Sequence, residues 1–161
     1  MTHLQIEQKR LDYPEIQAET LEAVAEFGID FCFSVVRAPC FIEDSGLFIE
    51  ALSGFPGVYS SHVFKTIGCE GILALLHEVR TAYFKSVIAY RTGNETNLFI
   101  GETKGEIAEA RKGEKGFGFD PIFIPEGESR TFAQMDIEEK NLYSHRGKAF
   151  KTFIKYLEQV K

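Results

Sequence analysis

Three apolar residues, Cys40-Phe41-Ile42, run directly into two adjacent carboxylates, Glu43-Asp44. A hydroxyl and a glycine follow, Ser45-Gly46, before the chain turns apolar again at Leu47-Phe48-Ile49. The pattern reads as a buried strand that delivers acid groups to a turn where a ligand can reach them. Neighbours on a strand point to opposite faces, so Glu43 and Asp44 cannot both reach one ion. One acts on a reacting group and the other supports or orients it. A second carboxylate for a metal must come from elsewhere, and Glu15, which follows Pro14 in an irregular segment, is the candidate. Two or so such oxygens, with waters and phosphate oxygens, make the usual magnesium site. The plain alternative is that Glu43 and Asp44 only terminate a strand.

A second group is Glu138-Glu139-Lys140-Asn141 followed by Ser144-His145-Arg146. A helix opening at Ser144 offers backbone N–H groups, and Lys140, His145 and Arg146 add donors, which suits an anion or a carbonyl-rich base. Taken alone, His145 reads as a cap or surface residue. The third group is Gly116-Phe117-Gly118-Phe119-Asp120. Its glycines permit close backbone approach, and Phe117 or Phe119 could stack on a base. Otherwise both rings are core behind a tight turn. His62, His77 and the aromatic segments after residue 82 read as structural.

The elements that must position these groups follow from periodicity. Residues 4–8 alternate as a half-exposed strand does, and Pro14 keeps the next segment irregular. Apolar residues at three- and four-residue intervals predict a helix over 19–36, with Thr20 as its cap and Gly28 weakening its middle. Ala38-Pro39 ends that helix. Ser53-Gly54-Phe55-Pro56-Gly57 has the chemistry of a fixed turn, and a second helical stripe extends over 67–79. Segments 82–90 and 97–102, joined at Thr92-Gly93-Asn94, predict a hairpin. Residues 103–110 predict a further strand, residues 117–125 an apolar strand with an acid and two aromatics at its start, and Ser144 starts a final helix. One domain over residues 1–161, with no repeat or linker, is expected as a three-layer α/β or a mixed α+β unit.

The 161 residues suffice to bury a core without staples. A net charge of −6 argues against broad nucleic-acid binding, which needs a basic footprint. A small anionic ligand remains compatible, because a metal or local cations can reverse the field inside one cleft. Three cysteines without C-x-x-C spacing indicate neither a disulfide framework nor a zinc site, and a reducing cytoplasm is the simplest compartment. No apolar run approaches a membrane span or a secretory h-region. P-loop, Rossmann and nucleophile-elbow motifs are all missing.

Taken together, Phe41-Ile42-Glu43-Asp44-Ser45-Gly46-Leu47, Gly54-Phe55-Pro56-Gly57-Val58-Tyr59-Ser60, Gly116-Phe117-Gly118-Phe119-Asp120-Pro121-Ile122-Phe123 and Glu139-Lys140-Asn141 with Ser144-His145-Arg146-Gly147-Lys148-Ala149 resemble the inosine triphosphate pyrophosphatase family. Residues 13–19 look most like its archaeal branch. The resemblance implies an α/β fold with an elongated mixed β-sheet flanked by helices, two lobes, a central cleft and a homodimer. It implies cleavage of ITP, dITP and XTP to the monophosphate and pyrophosphate with Mg2+. By position, Asp44 matches the general base, and Glu15 and Asp44 match the metal ligands. Phe119, Asp120, Lys140, His145 and Arg146 match the purine pocket, with Ser45 and Phe117 close by. His145 and Arg146 as donors would favour a 6-oxo purine over adenine.

Family members begin with a short strand and a T/S-x-N-x-x-K turn that grips the phosphates, and this sequence starts after that point. The competing expectation is therefore a nucleotide-binding form with impaired turnover. A related pyrophosphatase acting on modified pyrimidines is a third reading.

Overall fold

A computed structural model describes residues 5–14 and 16–160. The expected strand at 4–8 is not formed over residues 5–8, which run irregularly, and Leu4 lies outside the described residues. So short a stretch of alternation cannot hold itself in a sheet without a paired neighbour.

Helix α1 spans Leu21–Val36, and the Thr20 hydroxyl caps it by accepting the Ala23 N–H at 3.2 Å. Its buried stripe is Leu21, Ala25, Ile29 and Cys32. Gly28 interrupts good helix formers for a packing reason: a Cβ there would lie 2.7 Å from Ile42 Cδ1 and 3.1 Å from the Tyr13 ring. The glycine lets the helix settle onto the strand that follows.

Four strands form one sheet in the order β1 (Cys40–Ile49), β2 (Thr81–Thr92), β3 (Glu95–Ile107) and β4 (Phe123–Pro125). A mixed sheet was the expectation; among the described residues every pairing is antiparallel. Hairpin connections and the return of residues 50–80 give neighbouring strands opposite directions, whereas a parallel pair needs a crossover. The predicted hairpin is formed, with Gly93 at a positive φ of 59° in its two-residue turn. Residues 103–107 continue β3 instead of starting a new strand.

Between β1 and β2 lie α2 (Ser60–Thr66) and α3 (Gly68–Leu75). The helix expected over 67–79 is α3, which stops at Leu75, and Gly68, at a φ of 62°, separates it from α2. Then α4 (Ile137–Tyr143) and α5 (His145–Gln159) close the chain. Of the strand expected within 117–125, Asp120–Ile122 form a 3-10 turn and only Phe123–Pro125 pairs.

Three clusters of buried side chains flank this sheet. One packs Leu47, Ile49, Phe84 and Ile107 against α2, α3 and residues 119–135. The other two lie on opposite faces of the far half of the sheet, with Val87 and Ala89 under α1, and Ile88 and Phe99 under α5. The long β2–β3 hairpin thus joins two lobes. Residues 43–46 of β1 fall where they meet.

Candidate active site

Alternation along β1 sorts its side chains. Ile42 packs under α1 and Phe41 packs against Phe150 and Phe153 of α5. By the same period, Asp44 shares the α1 face, while Glu43 and Ser45 face α5. The two adjacent acids are thereby separated as the strand geometry requires.

Glu43 Oε1 accepts a 2.7 Å hydrogen bond from the Ser86 hydroxyl and a 3.0 Å bond from Arg146 Nε. Arg146 Nη2 donates to Ser45 Oγ at 2.9 Å. Its guanidinium also lies 4.6 Å from the centre of the Phe117 ring. Residues 101 and 103 positions apart in the chain meet here, and two devices make that possible. Gly46 brings β1 against the turn at 54–57, since a Cβ there would lie 2.4 Å from the Gly57 carbonyl. Ser60 Oγ locks that approach, accepting the Leu47 N–H at 2.8 Å and donating to the Gly57 carbonyl at 2.7 Å. Gly101 does the same for α5, because a Cβ there would lie 2.0 Å from the His145 carbonyl.

The two phenylalanines of the 116–120 loop part company. Phe117 is 60% exposed, with Lys140 Nζ 4.9 Å and Arg146 4.6 Å from its ring. Phe119 is 3% exposed and packs edge-on to Phe64. Its ring belongs to the core and cannot stack on a base; Phe119 can meet a ligand only through its backbone. Asp120 is buried too, and its Oδ2 accepts the Phe117 N–H at 2.9 Å and pairs with Lys140 Nζ at 2.5 Å. Gly116 has a φ of 75°, and a Cβ there would lie 2.1 Å from that carboxylate oxygen. The loop is wrapped around the Asp120 carboxylate with the Phe117 ring left outside.

Helix α4 starts with a capping box between Asp136 and Glu139, which sets the helix that carries Lys140. Ser144 caps α5 by accepting the Gly147 N–H at 3.0 Å. His145, in the first turn of α5, is buried and stacks on Phe84 at 4.6 Å. Burial, then the cations Arg146, Lys140 and Lys148, push its pKa down from 6.5 to about 3. It is therefore neutral at ordinary pH. Its Nδ1 is buried with no hydrogen-bond partner among the described residues. Such an atom is costly unless a ligand or water satisfies it.

Of the residues singled out from the sequence, Ser45, Phe117, Asp120, Lys140, His145 and Arg146 share one cluster, with Asp44 on the opposite face of the same strand. Glu15 lies outside the described residues. Among the described residues, no group of three or more His, Cys, Asp or Glu side chains is placed to hold a metal. Sequence reading missed Ser86 and the tie between Glu43 and Arg146. The only local signal for the former is a hydroxyl between Lys85 and the apolar run Val87-Ile88-Ala89.

The arrangement offers a stacking ring flanked by two cations, a buried neutral imidazole and a carboxylate from the adjoining strand residue. Comparison with known proteins identifies the family. The Ham1 family model matches residues 1–156. The dITP/XTP pyrophosphatase of Pyrococcus horikoshii is 56% identical over 157 residues, which cover 96% of this chain and 84% of that protein. The protein of the same description from Thermococcus kodakarensis is 55% identical over 158 residues, covering 97% and 85%. Among solved structures, the Staphylococcus aureus Ham1 protein matches with a TM-score of 0.86 and 33% identity, over 94% of this chain and 82% of that one. A HAM1 protein from Coxiella burnetii gives 0.83 and 32%, over 91% and 81%. A family match across nearly the whole sequence, relatives above half identity and a shared fold together establish that this chain belongs to the Ham1 family.

Proposed function

We propose that this protein hydrolyses non-standard purine nucleoside triphosphates, ITP, dITP and XTP, to the monophosphate and pyrophosphate. The observation that carries the reading is the exposed Phe117 ring flanked by Lys140 and Arg146, with the next residue to Arg146 in α5, His145, holding a buried Nδ1 that has no partner among the described residues. A stacking platform with donors suits a flat base rich in carbonyl oxygens. Relatives described as dITP/XTP pyrophosphatases support the same substrate class. Nothing in the comparisons favours a binding form without turnover.

Phe117 stacks on the purine while Lys140, Arg146 and the α5 first turn read its oxygens. Asp120 holds Lys140 and the Phe117 backbone in place, and Ser45 fixes Arg146. A 6-amino group would bring a donor against these donors, which disfavours adenine. Asp44, on the opposite face of β1, accepts the proton of the attacking water, a role worth about 10²–10⁴ in rate.

Magnesium is the cofactor in this reading. Asp44 supplies a hard oxygen donor of the kind that ion takes, and one or two carboxylates with substrate phosphates suffice to hold it; Glu15 is the proposed second ligand. When bound, the ion neutralises the polyphosphate and stabilises charge on the leaving group. A homodimer acting in the cytoplasm completes the proposal. Among the described residues, no helix is long and apolar enough to cross a membrane, and Cys32, Cys40 and Cys69 are free thiols.

The test is product analysis with ITP, XTP and ATP, with and without magnesium. Pyrophosphate from ITP and XTP, slow turnover of ATP and dependence on the ion are expected. Equal rates on ATP, or orthophosphate as product, would exclude the proposal.

A further inference from the structure

We infer that Glu43 is a positioning residue for base recognition: it fixes Arg146 over Phe117 and takes no part in the chemistry assigned to its neighbour Asp44. The inference rests on the proposed site. Three observations carry it.

First, Glu43 points away from the Asp44 face and toward α5, where its Oε1 accepts from Arg146 Nε. Second, Ser86, at the head of the apolar run Val87-Ile88-Ala89, is wholly buried, and its hydroxyl donates to that same Oε1 at 2.7 Å. A polar group in a strand core is retained only where it is satisfied, and here the carboxylate satisfies it. Ser86 thus braces Glu43 from below and leaves it a single geometry. Third, Arg146 spends Nε on Glu43 and Nη2 on Ser45 while its Cζ lies 4.6 Å from the centre of the Phe117 ring. An arginine without the carboxylate would sample many rotamers, and ordering it would be charged against ligand binding. A charge-assisted bond to Nε removes that freedom before the base arrives.

The chain of contacts runs Ser86, Glu43, Arg146, Phe117, and links the sheet interior to the exposed stacking face. Glu43 therefore controls affinity for the base, whereas Asp44 controls the rate of the chemical step.

Steady-state kinetics with ITP separate the two. Glu43→Gln keeps the shape and the Ser86 bond but removes the charge, and should raise KM about tenfold while kcat stays within about threefold. Ser86→Ala leaves the ion pair and should raise KM by a smaller factor. Combining Glu43→Gln with Arg146→Lys should cost no more than Arg146→Lys alone, because both act through one guanidinium. An unchanged KM, a fall in kcat as large as that of Asp44→Asn, or multiplicative losses in the double variant would each overturn the inference. Affinity for ITP measured by calorimetry in the Asp44→Asn background reads the same contact without turnover. If wild-type protein binds ITP but does not cleave it, the proposed activity fails while a weaker Kd on adding Glu43→Gln still upholds the positioning role.

Discussion

Lys140 Nζ sits 2.5 Å from Asp120 Oδ2, with the two side chains only 14% and 4% exposed. The same carboxylate oxygen receives the Phe117 N–H, so one buried acid ties α4 to the loop that presents the stacking ring. Removing one partner of a buried pair leaves an uncompensated charge and typically costs 3–5 kcal/mol. Asp120→Ala should therefore lower the unfolding free energy by about 3 kcal/mol and raise KM for ITP. Urea unfolding and steady-state kinetics check both halves.

Phe117 and Phe119 should respond in opposite ways. Phe117→Ala removes an exposed ring and should leave stability within about 0.5 kcal/mol. It should weaken ITP binding by roughly 1–3 kcal/mol, the usual worth of one base stacked on an aromatic ring. Phe119→Ala empties a core position and should cost about 3–5 kcal/mol of stability. Thermal unfolding and ITP titration of the two variants distinguish them.

The His145 imidazole gives a pH signature. Its folded pKa of about 3 lies below the ordinary 6.5, so the unfolded chain binds a proton that the folded one refuses. Stability is then full above about pH 6.5 and falls as pH drops toward 3, by an amount on the order of a few kcal/mol. Asp136 and Glu22 also have lowered pKa values, Asp136 from its bond with Lys115, and Glu22 because the upward push of burial is exceeded by its bond with Lys85, a backbone hydrogen bond and the Lys85 charge acting together. Those carboxylates add their loss below about pH 4.5, so the interval from 6.5 to 4.5 reports the histidine. His145→Gln should flatten the decline in melting temperature across that interval; an unchanged slope would assign the effect elsewhere.

Gly101→Ala tests how α5 is seated. The added Cβ would meet the His145 carbonyl at 2.0 Å and the Ala149 nitrogen at 2.6 Å, both backbone atoms. The helix must shift, at a cost of about 1–3 kcal/mol, and it carries His145 and Arg146 with it. Loss of ITP affinity beyond what the fall in stability explains is the expected result, read by calorimetry well below the melting temperature.

What was legible in the sequence is what local chemistry decides. Thr20 and Ser144 mark real helix starts because a hydroxyl before an apolar stripe satisfies free N–H groups. Gly93 marks the hairpin because the turn needs a positive φ. Phe117 and Phe119 could not be told apart, since a spacing of two around a glycine does not say which ring faces Phe64. The tie from Glu43 to Arg146 spans 103 positions and is set by packing of α5 on the sheet, which no local pattern encodes. The apolar stripe from Ile67 runs on to Val79 although α3 ends at Leu75, and the break from α2 falls at Gly68, whose φ of 62° no stripe encodes. The acids at 43 and 44 were separable beforehand because strand alternation alone decides it.

The central assignment, Asp44 as the group that activates water, is tested most directly by single-turnover cleavage of ITP with magnesium by wild-type and Asp44→Asn protein. Loss of at least about 10²-fold in the rate of pyrophosphate formation is predicted. The Asn variant should still bind ITP through Phe117, Lys140 and Arg146. An Asp44→Asn protein that cleaves ITP at a rate close to wild type would contradict the assignment and move the base to another carboxylate.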